Sequence, residues 1–299
     1  MSILVGGTVA IDTIVTPFSR AESVLGGSAT YASLSASFFS PVSLSAAVGT
    51  DFSKKQIAVL KSKAIDLSGL EIIPGETFKW GGEYGQNFSD PKTLFTQINV
   101  LSEFDPQIPE KYKKSKYLFL ANISPEIQIK ILNQVKKPKI IACDTMNYWI
   151  ENTPQQLLRL LKKVDISFIN ESEAKQLTGQ GNLLKAARKI LKLGPKVVVI
   201  KKGEHGVILV SESDVFAAPG FLLDSIVDPT GAGDTFAGGF IGYLANKNKY
   251  DKVSLRQAAV CGSVMATFTV EDFSVRRLSS LTVPEINKRM KKFKKITSF

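Results

Sequence analysis

Asp228-Pro-Thr-Gly-Ala-Gly-Asp-Thr-Phe-Ala-Gly-Gly-Phe240 is the stretch on which the reading of this chain turns. Val227 ends a run with strand character, and Pro229 with three small residues forces a turn. From Thr235 onward the spacing predicts a helix, with Phe236, Phe240 and Leu244 on one face. Gly231, Ala232 and Gly233 then lie at a helix N-terminus, where backbone N–H groups and the helix dipole attract an anion. Side chains this small let a phosphate approach the backbone closely. Asp234 breaks the pattern, because a carboxylate repels an anionic ligand. It fits if its task is to take a proton from a hydroxyl attacking that anion. The pair points to phosphoryl transfer to an alcohol. The alternative is an ordinary capped helix after a glycine-rich turn, with Asp234 favouring the positive helix end.

Four other segments extend the pattern. Val5-Gly6-Gly7 ends a first strand, and Asp12 follows. Gly26-Gly27-Ser28-Ala29 opens a helical stretch of small residues. Asn170-Glu-Ser-Glu173 follows the apolar strand Ile166 to Ile169, and Lys202-Gly203-Glu-His-Gly206 lies between strands Val197 to Ile200 and Val207 to Val210. In this order the segments resemble the ribokinase-like (PfkB-type) carbohydrate kinases. The glycine-rich block is highly specific for that family, the double glycine moderately so, and the last two are weak alone.

The resemblance implies an ATP- and Mg²⁺-dependent kinase acting on a hydroxyl, a primary one, of a small sugar or sugar-like alcohol. Asp234 would be the catalytic base, with the N–H groups of Gly231, Ala232 and Gly233 as the anion hole. Asp12, Gly26 and Gly27 would bind acceptor hydroxyls. Asn170, Glu173, Lys201, Gly203, Gly206 and Thr230 would serve the nucleotide, Glu173 also holding Mg²⁺ indirectly. Asp228 is a candidate for a monovalent cation site. The Asn170-x-x-Glu173 spacing fits a helix N-cap with its box partner equally well. Tyr31 stands where many members carry Asn, and it reads either as a substrate contact or as core packing. Lys201 stands where the family often has a small hydroxyl residue. It reads as a phosphate ligand or, by default at a strand end, as an exposed side chain. Asp144 and Asn147 are candidates for supporting groups near the phosphates, at a spacing that departs from the family's.

Length and composition allow this. The chain has 299 residues, 44% hydrophobic and 22% charged, ample for a core. Cys143 and Cys261 are far apart, and with one histidine, His205, they build no zinc site. The cysteines, the absence of a secretory signal and the lack of a membrane-length apolar run predict a cytoplasmic protein away from membranes. The net charge of +11 invites a nucleic-acid reading. Six of the basic residues fall between Asn287 and Phe299 with no acid, as in a solvated helical tail, so no nucleic-acid partner is expected.

Apolar, β-branched runs at Ile3 to Val5, Val42 to Ala46, Tyr117 to Leu120, Ile140 to Cys143, Ile166 to Ile169 and Val197 to Ile200 read as strands covered on both faces. Helices are predicted from Pro125 to Val135, Pro154 to Lys163, Leu183 to Leu193 and Leu255 to Phe268. The alternation predicts an α/β, doubly wound, mainly parallel sheet with ligands beyond the carboxyl ends of its strands. The whole chain, 1–299, reads as one such domain. Glu71 to Leu101 breaks the alternation and reads as strands of a small sheet. By resemblance that sheet, with strands near Asp12 to Thr16, is a lid over the sugar and a surface for homodimer formation. Two other functions stay open: a nucleoside kinase on the same scaffold, and a catalytically silent sugar or nucleotide sensor.

Overall fold

The computed structural model describes residues 2–88 and 91–298, so Met1, Ser89, Asp90 and Phe299 lie outside the described residues. A nine-stranded sheet forms the centre. Its parallel part comprises β1 (Ile3–Gly6), β4 (Val42–Gly49), β5 (Asp66–Ile73), β8 (Tyr117–Leu120), β9 (Ile140–Cys143), β10 (Ile166–Asn170) and β11 (Val197–Lys201). Two antiparallel strands, β12 (Val207–Ser211) and β13 (Asp214–Ala218), complete one edge. β1 sits between β4 and β8, so the strand order reverses there, and ligands of such sheets bind at that crevice.

Continuous apolar sequence makes these strands because both faces are covered. Ile3 and Val5 point into one core, with Phe119, Phe168 and Val199. Leu4, Leu118 and Leu120 point into a second core on the opposite face. The helices α3 (Pro125–Gln134), α5 (Pro154–Leu161), α6 (Glu171–Thr178) and α7 (Leu183–Leu191) contribute to the second side. On the first side lie α1 (Ser28–Ser37), α8 (Ala232–Lys247) and α9 (Lys252–Thr269).

The small residues of α1 and the glycines of α8 are explained by their mutual approach. A Cβ on Gly238 would lie 2.3 Å from the Ala32 carbonyl oxygen, so the two backbones meet at a distance only glycine allows. Ser35 adds a hydrogen bond, its hydroxyl donating to the Thr235 carbonyl at 2.7 Å. The stretch Val260 to Phe268 belongs to α9, where Gly262 lets Phe236 of α8 come close.

A second sheet of four strands stands apart, in the order β3 (Arg20–Gly26), β2 (Ala10–Val15), β6 (Lys79–Glu83), β7 (Lys92–Gln97). Glu71 to Ile73 belong instead to β5, paired with β4 in the large sheet. A second correction concerns Val227. It is not in a strand; its N–H donates to the Val270 carbonyl just beyond α9, so the approach to Asp228 is an irregular segment held by a helix end. Among the described residues no helix is long and apolar enough to cross a membrane.

Candidate active site

The carboxyl ends of β1, β8, β9, β10 and β11 deliver Thr8, Asn122, Asp144, Asn170 and Lys201 to one side of the sheet. The N-terminus of α8 meets them. Gly231 is its N-cap, with φ 74° and no side-chain cap. The left-handed backbone asks for glycine, and space asks for it too: a Cβ there would lie 2.4 Å from the Tyr31 ring. The N–H groups of Gly231 and Gly233 have no hydrogen-bond partner among the described residues. That of Ala232 donates to the Pro229 carbonyl at 3.1 Å, so the expected trio of N–H groups is reduced to two.

Asp234 lies in the first turn of α8, partly buried and with no hydrogen bond to its carboxylate among the described residues. Burial pushes its carboxyl up to about 7; the Asp144 carboxylate adds to this and the Lys201 ammonium opposes it. A carboxylate poised at that value exchanges protons readily near neutral pH.

On the β1–α1 side, Asp12 of β2 is buried, 3% exposed, against Gly26. Burial and then Asp228 push its carboxyl up to about 8, with an opposing bond from the Gly27 N–H and a further contribution from Asp234. Gly27 caps α1 with φ 94°, and a Cβ on it would strike the Thr8 carbonyl at 2.5 Å. Tyr31 is buried, as the packing reading expected, yet its hydroxyl has no partner among the described residues. Burial, then Asp228, Asp12, Tyr84 and Asp234 raise that hydroxyl well above the ordinary tyrosine range, which puts it among the site's carboxylates. Asp228 is also buried, and its two oxygens accept the N–H groups of Thr230 at 2.8 Å and Ser274 at 3.1 Å. It therefore fixes the turn before α8. No cluster of three or more acids, histidines or cysteines able to hold a metal ion occurs among the described residues.

On the β10–β11 side, Asn170 and Glu173 form a complete capping box at the start of α6. Asn170 Oδ1 accepts the Glu173 N–H at 2.8 Å, and Glu173 Oε2 accepts the Asn170 N–H at 2.9 Å. Lys201, paired in register with Asn170, is not exposed: its side chain is 16% accessible and its ammonium is 2.5 Å from Asp144 Oδ2. Nζ also lies 3.1 Å from where a Cβ on Gly233 would stand. Burial by itself would lower the lysine; Asp144, Glu173 and Asp234 outweigh it, so the ammonium is held charged. Gly203 and Gly206 flank the turn between β11 and β12, where a Cβ on Gly206 would meet the Ala218 carbonyl at 2.1 Å. Their place is a strand-connecting turn with His205 exposed to solvent. The Thr230 hydroxyl donates at 3.1 Å to Tyr84, the residue just after β6, which ties that end of the four-stranded sheet to the glycine turn. Asn147 is exposed, and its side chain accepts the Tyr148 N–H at 2.9 Å.

Three contacts escaped the sequence reading. The pairing of Asp144 with Lys201 joins residues 57 apart in sequence. Tyr84, just after β6, reaches the Thr230 hydroxyl in the glycine turn. Asn122 accepts the Ser28 hydroxyl on its carbonyl at 2.7 Å and the Trp149 indole N–H on its side chain at 2.8 Å, bracing the double-glycine turn. An Asn after an apolar strand was the one available signal.

Family and relatives make this α/β chain a phosphotransferase with an alcohol acceptor. Residues 7–280 match the pfkB family carbohydrate kinases, and the chain belongs to that family. The cytidine kinase of Thermococcus kodakarensis is 36% identical over 246 residues, covering 81% of this chain and 87% of that protein. The nucleoside kinase of Methanothermobacter thermautotrophicus is 25% identical over 283 residues, covering 93% and 87%. Among solved structures, the aminoimidazole riboside kinase of Salmonella enterica superposes with a TM-score of 0.76 at 17% identity, covering 97% of this chain and all of that one. With the family established, the silent-sensor alternative gives way to an enzyme.

Proposed function

We propose that the chain transfers the γ-phosphoryl group of ATP to the primary hydroxyl of a nucleoside, with small sugars as the second acceptor class. The observation that carries this is the meeting of three features at one point: two unpartnered N–H groups at Gly231 and Gly233, the charged Lys201 ammonium, and the Asp234 carboxyl near 7. Asp234 takes the proton of the acceptor hydroxyl. The acceptor oxygen then bonds to the γ-phosphorus as the bond to the β–γ bridging oxygen breaks, and ADP leaves with that electron pair. The proton on Asp234 is later lost to solvent. The two N–H groups and Lys201 stabilise charge on the oxygens in transit, which is the main demand of phosphoryl transfer.

Asp12, its carboxyl raised to about 8, is suited to exchange hydrogen bonds with acceptor hydroxyls, donating through its O–H when protonated and accepting on its other oxygen, and Gly26 and Gly27 let the acceptor lie against backbone. Mg²⁺, a hard ion that keeps several waters, would neutralise the nucleotide phosphates, with Glu173 reaching it through water. Glu173 fits that distant role because its carboxylate also completes the capping box. The acceptor class rests on the relatives. Two act on nucleosides by name, and the solved riboside kinase was captured with its riboside and an ATP analogue. Asp228, already holding two backbone donors, serves the turn; the monovalent cation remains an implication of the resemblance. The four-stranded sheet acts as a lid, tied to the site through Tyr84 and Thr230, and its exposed Leu94, Phe95 and Ile98 support pairing with a second copy. Two unpaired, buried cysteines are compatible with a reducing cytoplasm.

The test is ADP release from ATP and Mg²⁺ across cytidine, uridine, adenosine, inosine, ribose and fructose. Turnover is expected with a nucleoside, and Asp234→Asn should lower it by roughly 100-fold or more while ATP still binds. Full activity in that variant would remove the base.

A further inference from the structure

Lys201 is surrounded by more negative charge than one ammonium needs. It is bonded to Asp144 and also feels Glu173 and Asp234. A buried lysine bonds to whichever carboxylate geometry favours, and that choice has consequences here. A bond to Asp234 would occupy the base and stabilise its charged form, making it a weaker proton acceptor. The bond actually made is to Asp144, at 2.5 Å.

Asp144 is well placed to keep it. It follows β9 directly and is 2% exposed. Its N–H donates to the Leu120 carbonyl, and its Oδ1 accepts the Thr145 N–H at 2.9 Å. That leaves Oδ2 aimed at Lys201. The Gln128 side chain, buried beneath, donates to the carbonyls of Leu120, Ala121 and Asp144, fixing the backbone at the carboxyl ends of β8 and β9. The lysine is thus held between the Gly233 end of the anion hole and a rigid anchor.

We propose that Asp144 is a positioning residue that holds the Lys201 ammonium beside the anion hole and off the Asp234 carboxylate, leaving the base free for the acceptor. This rests on the kinase reading for its catalytic meaning, though not for its binding consequence. Removing the anchor leaves Lys201 with one fewer opposing charge. Ground-state ATP affinity then holds or tightens while turnover falls. A residue needed only for packing would weaken both together.

The experiment measures ATP affinity by calorimetry without acceptor, and turnover with the best acceptor, for wild type, Asp144→Asn, Lys201→Met and the double variant. Asp144→Asn should bind ATP at least as tightly as wild type while turning over at least about tenfold more slowly. Lys201→Met should lose about tenfold or more in ATP affinity. The double variant should be no slower than Lys201→Met within about twofold, since Asp144 acts through the lysine. Parallel loss of affinity and turnover in Asp144→Asn, unchanged turnover, or additive losses in the double variant would each overturn the proposal. Should Asp144→Asn not fold, the double variant, which removes both charges of the pair, still decides by its match to Lys201→Met. A wild type that binds ATP but phosphorylates no acceptor would sink the kinase reading, while the affinity comparison would still test the anchor.

Discussion

The first turns of α6 and α8 both carry an acid three residues beyond the N-cap, and they use it in opposite ways. In α6, Glu173 folds back onto the Asn170 N–H and Asn170 covers the Glu173 N–H, so the end is closed by its own side chains. In α8 the N-cap is Gly231, which has no side chain to offer, and the Asp234 carboxylate bonds to none of the described residues. The closed end gains stability from its cap. The open end forgoes it and keeps two N–H groups and a carboxylate for other partners. A helix start near a cleft therefore reveals its use by whether its donors are spent.

The difference can be broken by giving the open end a side chain. Gly231→Ala should cost roughly 1–2 kcal/mol for the left-handed backbone and force the new methyl against the Tyr31 ring. Turnover should fall by about 100-fold as the anion hole shifts; wild-type rates would show that the hole lies elsewhere. The pH profile sharpens the contrast between the two acids. Asp234 works as a carboxylate with its pKa raised to about 7, so kcat/KM should climb as pH rises through that value and level off above it. A profile flat from pH 5 to 8 would contradict the assignment.

At the closed end, Asn170→Ala should lower stability by about 1 kcal/mol, read as a drop in Tm, with a smaller loss of turnover than Gly231→Ala. Equal losses of turnover would erase the distinction. The smallest effect is expected from Tyr31→Phe. Removing a buried hydroxyl that has no partner should leave stability unchanged or raise it by up to about 1 kcal/mol. The acceptor KM should change several-fold if the hydroxyl meets the acceptor, and stay constant if the ring only packs.

The parallel strands were legible because both faces are buried. Tyr117–Leu120 and Ile140–Cys143 need apolar residues at every position, and the sequence supplies them without interruption. β3 was not foreseen, since Arg20–Gly26 mixes exposed charge with buried Ala21 and Leu25 and has no clean period. The glycine turn was legible as a local event: its residues fix their own backbone. Lys201 was misjudged for the opposite reason. Nothing adjacent to it shows that Asp144 waits across the strand ends, and a lysine at the end of a strand is ordinarily solvated. Val227 was misassigned because β-branching signals burial as readily as pairing, and its partner is a carbonyl past α9.

The contact of α1 with α8 has a consequence for distance. α1 follows its cap Gly27, on the side proposed for the acceptor, and α8 follows its cap Gly231, on the side proposed for the phosphates. Along their length the two meet at Ala32 against Gly238, where a methyl group finds no room, and at Ala36 against Gly242, where one would fit only if its neighbours gave way. The two helices thus behave as a gauge whose gap is set in the protein interior. With acceptor and phosphate placed as proposed, widening it by one carbon at Gly238 should move the acceptor oxygen and the phosphorus apart. On the proposed function, the reach of an attacking hydroxyl is decided where nothing reacts.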